Sequence, residues 1–197
     1  MPARSIAAPA STPKRDHLLA TAYRLFYRDG YHAVGIDTIL AEARLAKMTL
    51  YHHFASKDEL IVAVLDGRSA QVRVKVEELL ARAGPSPCKR LLAYFKRYEK
   101  WFAGADFKGC AFIRAVAECP EINSAVHQVV IRHKRRGIDE LRSLLAAMEV
   151  FDPDKLAPQL AVLLEGAIVS AHTGDPTALV RARAAALALI KASARGH

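Results

Sequence analysis

The stretch TILAEARLAKMTLYHHFASKDEL, residues 38–60, decides how the rest of the chain is interpreted. Its apolar spacing predicts a helix over about 36–43, a tight turn, a short second helix over about 46–54, and another helix that starts after Ser56. Five of the seven side chains at 47–53 can form hydrogen bonds. A helix made only for packing has little use for so many polar groups, whereas a helix in the major groove of DNA needs donors for base edges and phosphates.

The sequence on either side of this stretch predicts helices only. Thr12 and Pro13 form a helix start, the apolar residues between Leu18 and Phe26 share one face, and Gly30 ends that helix. Further helices are expected up to about residues 83 and 102, and then over about 110–119, 121–148, 153–173 and 177–194. No segment alternates with a period of two, and Ala and Leu dominate, so the predicted fold class is all-α with about nine helices.

The composition sets weak limits on partners and location. The formal charge of +9 favours a polyanion only weakly, because residues 1–60 hold eight basic and six acidic residues and so carry little of the excess. The most apolar late segment, 156–173, contains Gln159, Glu165 and His172 and is too polar to span a bilayer. The three cysteines have no framework spacing and no signal peptide is visible, so we expect a reduced cytoplasmic protein, associated with the nucleoid in the bacterial manner.

The sequence carries no signature of catalysis. It contains no Walker loop, no GxSxG, HExxH or CxxC motif and no dinucleotide fingerprint, and the eight histidines have no metal-ligand spacing. His52 and His53 are adjacent, so they point in different directions on a helix. The sequence therefore predicts no enzyme, no catalytic residue, no cofactor and no metal site.

Residues 18–65 resemble the DNA-binding region of TetR-family transcriptional regulators of the TetR/AcrR type. The matching elements are A-x-x-L-F at 22–26, the Gly30-Tyr31 pair, Ile39, TLYHHF at 49–54 and SKDEL at 56–60. They lie in register without a gap. The rest of the chain is similar to the family only in length and helical character.

The resemblance implies a division into two functional domains. A helix-turn-helix DNA-binding domain is expected at 13–60, with the motif itself at about 37–56, and a ligand-binding and dimerisation domain at 61–197. Residues 1–12, rich in Ala, Pro and Ser, are expected to form a disordered tail. The resemblance implies a homodimeric repressor that a small molecule releases from its operator. The expected partners are double-stranded DNA, a second copy of the chain and an unidentified effector, with no membrane.

The resemblance also implies which residues contact DNA. Lys47, Met48 and Thr49 stand where the family approaches bases, and Tyr51 and His52 stand where it contacts phosphates. The whole predicted set is Thr38, Arg44, Lys47, Met48, Thr49, Tyr51, His52 and Lys57. A cation beside a helix N-terminus forms an anion site, which favours a phosphate at Lys57.

The chain departs from the family pattern around the turn. Arg44 stands where the family usually has glycine, and a left-handed backbone there would cost a non-glycine residue roughly 1 kcal/mol. Gly35 and Ala46 replace the usual Ser or Thr caps, and Met48 replaces a common glycine. Because these changes bear on the base contacts, the alternative function is a helical ligand-binding or interaction protein with weakened or lost DNA recognition.

A ligand pocket is expected in the second domain, where aromatic and apolar residues recur at helical spacing. Its predicted lining is Phe95, Tyr98, Phe102, Phe112, Val116, His127, Val130 and His172. Each of these residues alone is better explained by a core or structural position, but together with Trp101 they suit a mostly apolar pocket, and hence an apolar or amphipathic effector. The basic run 132–136 is interpreted as a solvated face, because Asp139 and Glu140 follow four residues after its last two arginines.

The last two predicted helices are rich in small residues, which allow close helix approach. The predicted dimer interface is Leu163, Ala167, Ile168, Ala171, Ala182, Ala186 and Ile190. The alternative is that the same residues form a core within one chain. A three-helix DNA reader usually works in pairs on paired half-sites, which favours the dimer.

Overall fold

The computed structural model describes residues 12–119 and 121–194, and within them the chain forms nine α-helices and no strand. The helices are α1 Pro13–Asp29, α2 Ile36–Ala43, α3 Lys47–His53, α4 Lys57–Arg82, α5 Pro87–Phe102, α6 Ala111–Glu118, α7 Ala125–Ala146, α8 Pro153–His172 and α9 Ala178–Ala194. The all-α prediction is confirmed. None of these helices is long and apolar enough to cross a membrane. The tail predicted at residues 1–12 lies outside the described residues, apart from Thr12.

Local chemistry sets both ends of α1. Thr12 is the N-cap, and its Oγ1 accepts a hydrogen bond from the backbone N–H of Arg15 at 3.3 Å. Gly30 ends the helix with φ 101°, and its N–H donates to the Phe26 carbonyl at 2.9 Å. A Cβ atom at Gly30 would stand 2.8 Å from a carboxylate oxygen of Glu118 on α6. Glycine is therefore required both by the backbone conformation and by the close approach of α6.

The first hydrophobic core holds α1, α2 and α3 against the start of α4. Its fully buried side chains include Leu18, Leu25, Ile39, Leu50 and Leu65. The same cluster continues into α6 and α7 through Phe112, Ala115, Val126, Val129 and Val130. The N-terminal helices therefore have no separate core, and they pack directly on part of the second domain.

The second hydrophobic core lies between α5, α7, α8 and α9. Its buried side chains include Tyr94, Phe95, Leu141, Leu145 and Leu160. The long helix α4 contributes to both cores, since its N-terminal turns pack in the first and Val76 packs in the second. At 1.5 Å per residue its 26 residues extend about 39 Å. The domain boundary predicted between residues 60 and 61 lies inside this continuous helix.

The start of α7 differs from the sequence prediction, which puts it at about residue 121. The helix begins at Ala125 because Ser124 is its N-cap. The Ser124 Oγ accepts a hydrogen bond from the backbone N–H of His127 at 3.3 Å, and its own backbone is extended. The Ser124 N–H also closes a turn onto the Glu121 carbonyl at 3.0 Å. The residues before the cap are therefore a turn.

The small residues of α8 and α9 pack within the chain, which corrects the predicted dimer interface. Five of the seven predicted side chains are buried in the single chain: Ala167, Ile168, Ala182, Ala186 and Ile190. Leu163 and Ala171 are partly buried against the same clusters. The small side chains let α8 and α9 approach each other, and this contact uses the face that the prediction assigned to the partner. The exposed apolar side chains of the two helices are Val162, Val169, Val180 and Leu187.

Candidate functional site

The turn between α2 and α3 is closed by Arg44 in the left-handed conformation, with φ 52° and ψ 44°. Its N–H donates to the Ala41 carbonyl at 3.2 Å, and the N–H of Leu45 reaches the Leu40 carbonyl at 3.1 Å. These bonds satisfy the last carbonyls of α2. The conformation that favours glycine is therefore present, and Arg44 adopts it at a cost of roughly 1 kcal/mol. Its side chain is exposed.

The short helix α3 divides its side chains between the core and the surface. Leu50 is fully buried, and Phe54, which follows the helix, is 4% exposed. On the outer face Met48 is 80% exposed and Tyr51 is 45% exposed. Of the eight predicted DNA-binding residues, Thr49 and Lys57 are partly buried and the other six are exposed: Thr38, Arg44, Lys47, Met48, Tyr51 and His52. The fold thus places the eight predicted DNA-binding residues on or next to one helix-turn-helix unit.

Lys47 holds the only short contact between charged groups on this outer face within the described residues. Its Nζ lies 3.5 Å from Oδ1 of Asp37, and both side chains are well exposed. An exposed ion pair at this distance contributes little to stability. A phosphate or a base edge can therefore replace Asp37 as the partner of Lys47 at small cost.

The N-terminus of α4 lies next to the loop that follows α1. Ser56 caps the helix, since its Oγ accepts a hydrogen bond from the Glu59 N–H at 3.1 Å. The Glu59 carboxylate in turn accepts from the Ala55 N–H at 2.7 Å. Lys57 Nζ lies 3.4 Å from the His32 carbonyl, so this cation is held at the positive end of the helix.

The N-terminal helices are tied to α6 by a set of hydrogen bonds that we call the α1–α6 junction. The Glu118 carboxylate accepts from the His32 N–H at 2.6 Å and pairs with Arg114 at 2.9 Å. Arg114 also donates to the Tyr27 carbonyl at 3.1 Å, and the Tyr31 hydroxyl donates to the Ala111 carbonyl at 3.1 Å. The sequence prediction missed this junction, because its two sides lie about eighty residues apart and no local pattern connects them.

A cavity of about 640 Å³ lies beneath α1, among α4, α5, α7 and α8. This volume is within the usual range of small-molecule sites. Tyr23 and Tyr27 of α1 form part of its wall, as do Arg68 and Ser69 of α4. A ligand in the cavity would therefore touch α4, which carries Lys57, and α1, which packs against α2 and α3.

The cavity contains only some of the residues that the sequence predicts for it. Tyr98 and Phe112 line it, together with Trp101. Six predicted residues lie outside its wall: Phe95, Phe102, Val116, His127, Val130 and His172. Phe95 and Val130 are buried in the two cores, His127 is buried on α7, and Val116 and His172 are exposed. The helical spacing of apolar residues selected core positions as readily as cavity positions.

A hydrogen-bonded group in the cavity wall connects α4 to α7. Arg136 donates to the Ser69 Oγ at 3.0 Å, and that hydroxyl lies 2.9 Å from Nδ1 of His133. The Ser69 hydroxyl therefore connects Arg136 and His133, two side chains of α7, to α4. The ring stacks on Phe112 with centroids 3.6 Å apart.

The His133 ring is neutral in the folded protein. Burial, reinforced by the positive charge of Lys134 and Arg97, lowers the pKa of His133 to about 3. The sequence gives no sign of this, since His133 lies in a basic run that looks solvated. In the structure Arg132, Arg135 and Arg136 are exposed, whereas His133 and Lys134 are partly buried. Lys134 and Arg136 line the cavity.

Comparison with known proteins finds two family models on the chain. The model described as "Bacterial regulatory proteins, tetR family" matches residues 18–64. The model described as "Tetracyclin repressor-like, C-terminal domain" matches residues 87–186. A crystal structure of a TetR-family transcriptional regulator from Streptomyces coelicolor has a TM-score of 0.84 and 33% identity, and covers 91% of this chain and 95% of that one.

Curated relatives match over different lengths. The transcriptional repressor NemR of Escherichia coli (strain K12) is 28% identical over 132 residues, which are 66% of this chain and 66% of that repressor, just under two thirds of its length. The transcriptional activator FasR of Mycolicibacterium smegmatis is 48% identical over 52 residues, 26% of this chain and 24% of that protein. Identity is thus higher over the short match than over the longer one.

Proposed function

The chain belongs to the tetR family of bacterial regulatory proteins, and we propose that it is a homodimeric repressor that binds its operator through α3 and leaves it when a small molecule enters the cavity. Regulators of this family bind DNA and have a ligand-binding C-terminal domain. The observation that carries the proposal is the outer face of α2 and α3, where polar side chains stand exposed over a buried Leu50. We call α1 to α3 the reading head.

The exposed residues divide into two kinds of DNA contact. Lys47 and Thr49, at the start of α3, reach base edges in the major groove, and Met48 makes apolar contact there, for instance with a thymine methyl group. Tyr51, His52 and Lys57 contact phosphates and fix the register of the helix on the duplex. Thr38 and Arg44 flank these contacts on α2 and on the turn.

A dimer supplies the second reading head. Two-fold symmetric readers place their recognition helices one DNA turn apart, about 34 Å, so that each enters one half-site. The outward-facing Val162, Val169, Val180 and Leu187 of α8 and α9 are 49–71% exposed, and we assign them to the centre of the interface. A self-complementary apolar face of this kind suits a two-fold contact.

Ligand control follows from the position of the cavity. Tyr23 and Tyr27 belong to α1, and Arg68 and Ser69 belong to α4, so a ligand contacts two helices that hold the DNA-facing surface. A ligand that fits the cavity better in one arrangement of these helices shifts the population toward that arrangement. The effect on DNA affinity cannot exceed the difference in ligand affinity between the two arrangements.

The test is binding of the purified protein to the DNA upstream of its own gene, measured by fluorescence anisotropy at several salt concentrations. Tyr51→Ala and Lys57→Ala are expected to weaken binding, and Lys57→Ala should reduce the salt slope by about one because it removes a phosphate contact. Lys191→Ala, at an exposed cation on α9, is the matched control and should bind like the unaltered protein. Binding no tighter than to random DNA would contradict operator recognition at this site.

A further inference from the structure

The wall of the cavity is rich in positive charge. Its lining includes eight cationic side chains and two carboxylates. The cations are Arg68, Arg73, Lys75, Lys96, Arg97 and Lys100, with Lys134 and Arg136 on α7. Five of the eight are exposed to solvent, and Arg68, Arg97 and Lys134 are partly buried. An excess of one sign along the wall of a cavity favours a ligand of the opposite sign.

Two of these cations, Arg73 and Lys134, form ion pairs with carboxylates, whereas Arg97 does not. Lys134 forms an ion pair with Glu165 at 3.0 Å, and Arg73 lies 3.5 Å from Glu77. Among the described residues, no carboxylate lies within 4.0 Å of the Arg97 guanidinium. An arginine inside a protein keeps its charge, and a buried charge without a counterion is costly.

The Arg97 guanidinium is held between two aromatic rings. Its central carbon lies 4.3 Å from the ring centroid of Tyr94 and 4.6 Å from that of Tyr98. Its Nη2 donates to the Tyr94 hydroxyl at 3.2 Å and to the Tyr98 hydroxyl at 2.8 Å. Its Nε is buried without a hydrogen-bond partner. The side chain is therefore fixed in position with donor capacity left over.

The Tyr98 phenol adds to this capacity, whereas the Tyr94 phenol is hydrogen-bonded to the Glu140 carboxylate. Because the Tyr98 oxygen accepts from Arg97, its proton is available to another acceptor. The charge of the Glu140 carboxylate acts on Arg97, but burial raises the pKa of Glu140, which weakens this carboxylate as a counterion. The Tyr98 O–H thus lies beside Arg97 on the wall of the cavity as a second donor for an incoming anion.

We propose that the cavity selects an organic anion, a carboxylate or a similar group on an apolar body, and that Arg97 and Tyr98 hold its charged end. The proposal names the ligand class and so rests on the proposed function. The apolar body packs against Trp101, Phe112 and Leu141, which line the same space. A carboxylate accepts paired hydrogen bonds from a guanidinium, which gives orientation as well as affinity.

The same anion would connect α5 to α4 and α7. Arg68 of α4, whose guanidinium carbon lies 5.4 Å from the Tyr23 ring centroid, and Arg136 of α7 line the cavity with Arg97. A negative charge among these cations reduces their mutual repulsion and draws them together. Because Arg68 lies on α4 and Tyr23 lies on α1, a shift of these side chains toward the ligand would move both helices. This shift would couple the ligand to the reading head.

The test uses the purified, DNA-free protein and isothermal titration calorimetry. The ligands are aromatic acids, each paired with its neutral amide: benzoate with benzamide, naphthoate with naphthamide, and indole acetate with indole acetamide. For at least one pair the acid should bind about tenfold tighter than the amide or better, because charge-assisted hydrogen bonds to the guanidinium are lost in the amide. Acids that bind no tighter than their amides, or no binding by any acid, would overturn the proposal.

Two substitutions with the same change in net charge locate the site. Arg97→Gln should abolish the preference for the acid, whereas Lys134→Gln should keep it, because Lys134 is already paired with Glu165. Circular dichroism checks that both variants fold. If Arg97→Gln does not fold, Arg97→Lys replaces it and should retain the preference with weaker affinity, because the charge stays and the planar fork is lost. A preference for the acid that persists in Arg97→Gln, or an affinity for the acid that is unchanged in Arg97→Lys, would overturn the assignment.

The outcome is separable from that of the DNA experiment. Acid binding without operator binding would support the anion site and contradict the proposed repressor function. Operator binding without any preference for acids would support the repressor function and contradict the anion site.

Discussion

The reading head and the cavity both gather positive charge, but they present it differently. Arg44 and Lys47 are exposed, so water and salt screen them, and Lys57 beside the reading head is partly buried. Arg97 is enclosed between two tyrosine rings, and Arg136 is hydrogen-bonded to Ser69. Surface cations suit a polyanion that contacts many of them at once. An enclosed cation suits a small ligand that brings a single negative group.

This difference explains how charge is distributed along the chain. The net charge is +9, yet residues 1–60 contribute little of it. Part of the excess lies on the cavity wall, where it serves no DNA contact. Net charge alone therefore does not identify the DNA-binding surface, and the position of each cation in the fold must be known.

The largest expected effect is at Phe112, which belongs both to the first core and to the cavity wall. Phe112→Ala should lower the free energy of unfolding by about 3–5 kcal/mol, because a buried ring and its stack on His133 are lost. Urea denaturation followed by circular dichroism measures this. A single transition is expected, since the reading head shares its core with α6 and α7.

Ile122→Ala is the control for this change, because Ile122 is 74% exposed and its truncation should alter stability by less than about 0.5 kcal/mol. Two transitions in Phe112→Ala, one of them at the midpoint of the unaltered protein, would show that the reading head and the cavity region unfold separately. The shared core would then not couple them.

A smaller effect on stability is expected from the titration of His133, a partly buried group that lines the cavity. Its pKa is about 3 in the folded protein, against an ordinary value of 6.5. Between these values the unfolded chain binds a proton that the folded chain does not, so stability is lost as the pH falls from about 6.5 toward about 3. The slope should approach about 1.4 kcal/mol per pH unit.

Urea denaturation of the unaltered protein and of His133→Asn at about pH 7 and about pH 5 tests this linkage. Other groups titrate equally in both proteins, so the difference between them isolates His133. That difference should move in favour of the variant by about 2 kcal/mol at the lower pH. A difference that does not change with pH would mean that His133 is not held neutral.

The smallest effect compares one substitution at two glycines. Gly30→Ala should destabilise the protein by about 1–3 kcal/mol, because φ is 101° and the new Cβ would crowd Glu118 at the α1–α6 junction. Gly67→Ala, in the middle of α4 with no neighbouring atom within 4 Å, should stabilise it by about 0.5–1 kcal/mol. Thermal denaturation measures both. Equal shifts of the same sign would contradict the positive φ at Gly30 as well as the close approach of Glu118.

The helix-turn-helix was predictable because its information is local. The bounds of α2 and the Ser56 cap were predicted correctly, and the position of the turn at Arg44 follows from the pattern, although its left-handed conformation was seen only in the structure. Caps, turns and the apolar positions of one short helix all depend on residues within a few positions of each other. The partial burial of Thr49 and Lys57 could not be predicted in this way, because it depends on how neighbouring helices pack around them.

The dimer face and the cavity were predictable only in part. Small residues on α8 and α9 indicated close helix approach, but the sequence left open whether the neighbour was the same chain or a second copy. The fold places Ala186 against its own chain and leaves Val162 outside. Likewise, spacing alone did not separate Phe95, which is core, from Tyr98, which lines the cavity.

By itself, the sequence determined an all-helical chain with a DNA-reading unit near its N-terminus, because helix periodicity and capping act over a few residues. The tertiary structure decided which cations line the cavity. Arg68, Arg97 and Arg136 lie on three different helices, and only the packing of α4, α5 and α7 brings them to one space. Periodicity fixes which side chains share a face of a helix, but which helix covers that face is settled by contacts between residues far apart in the chain.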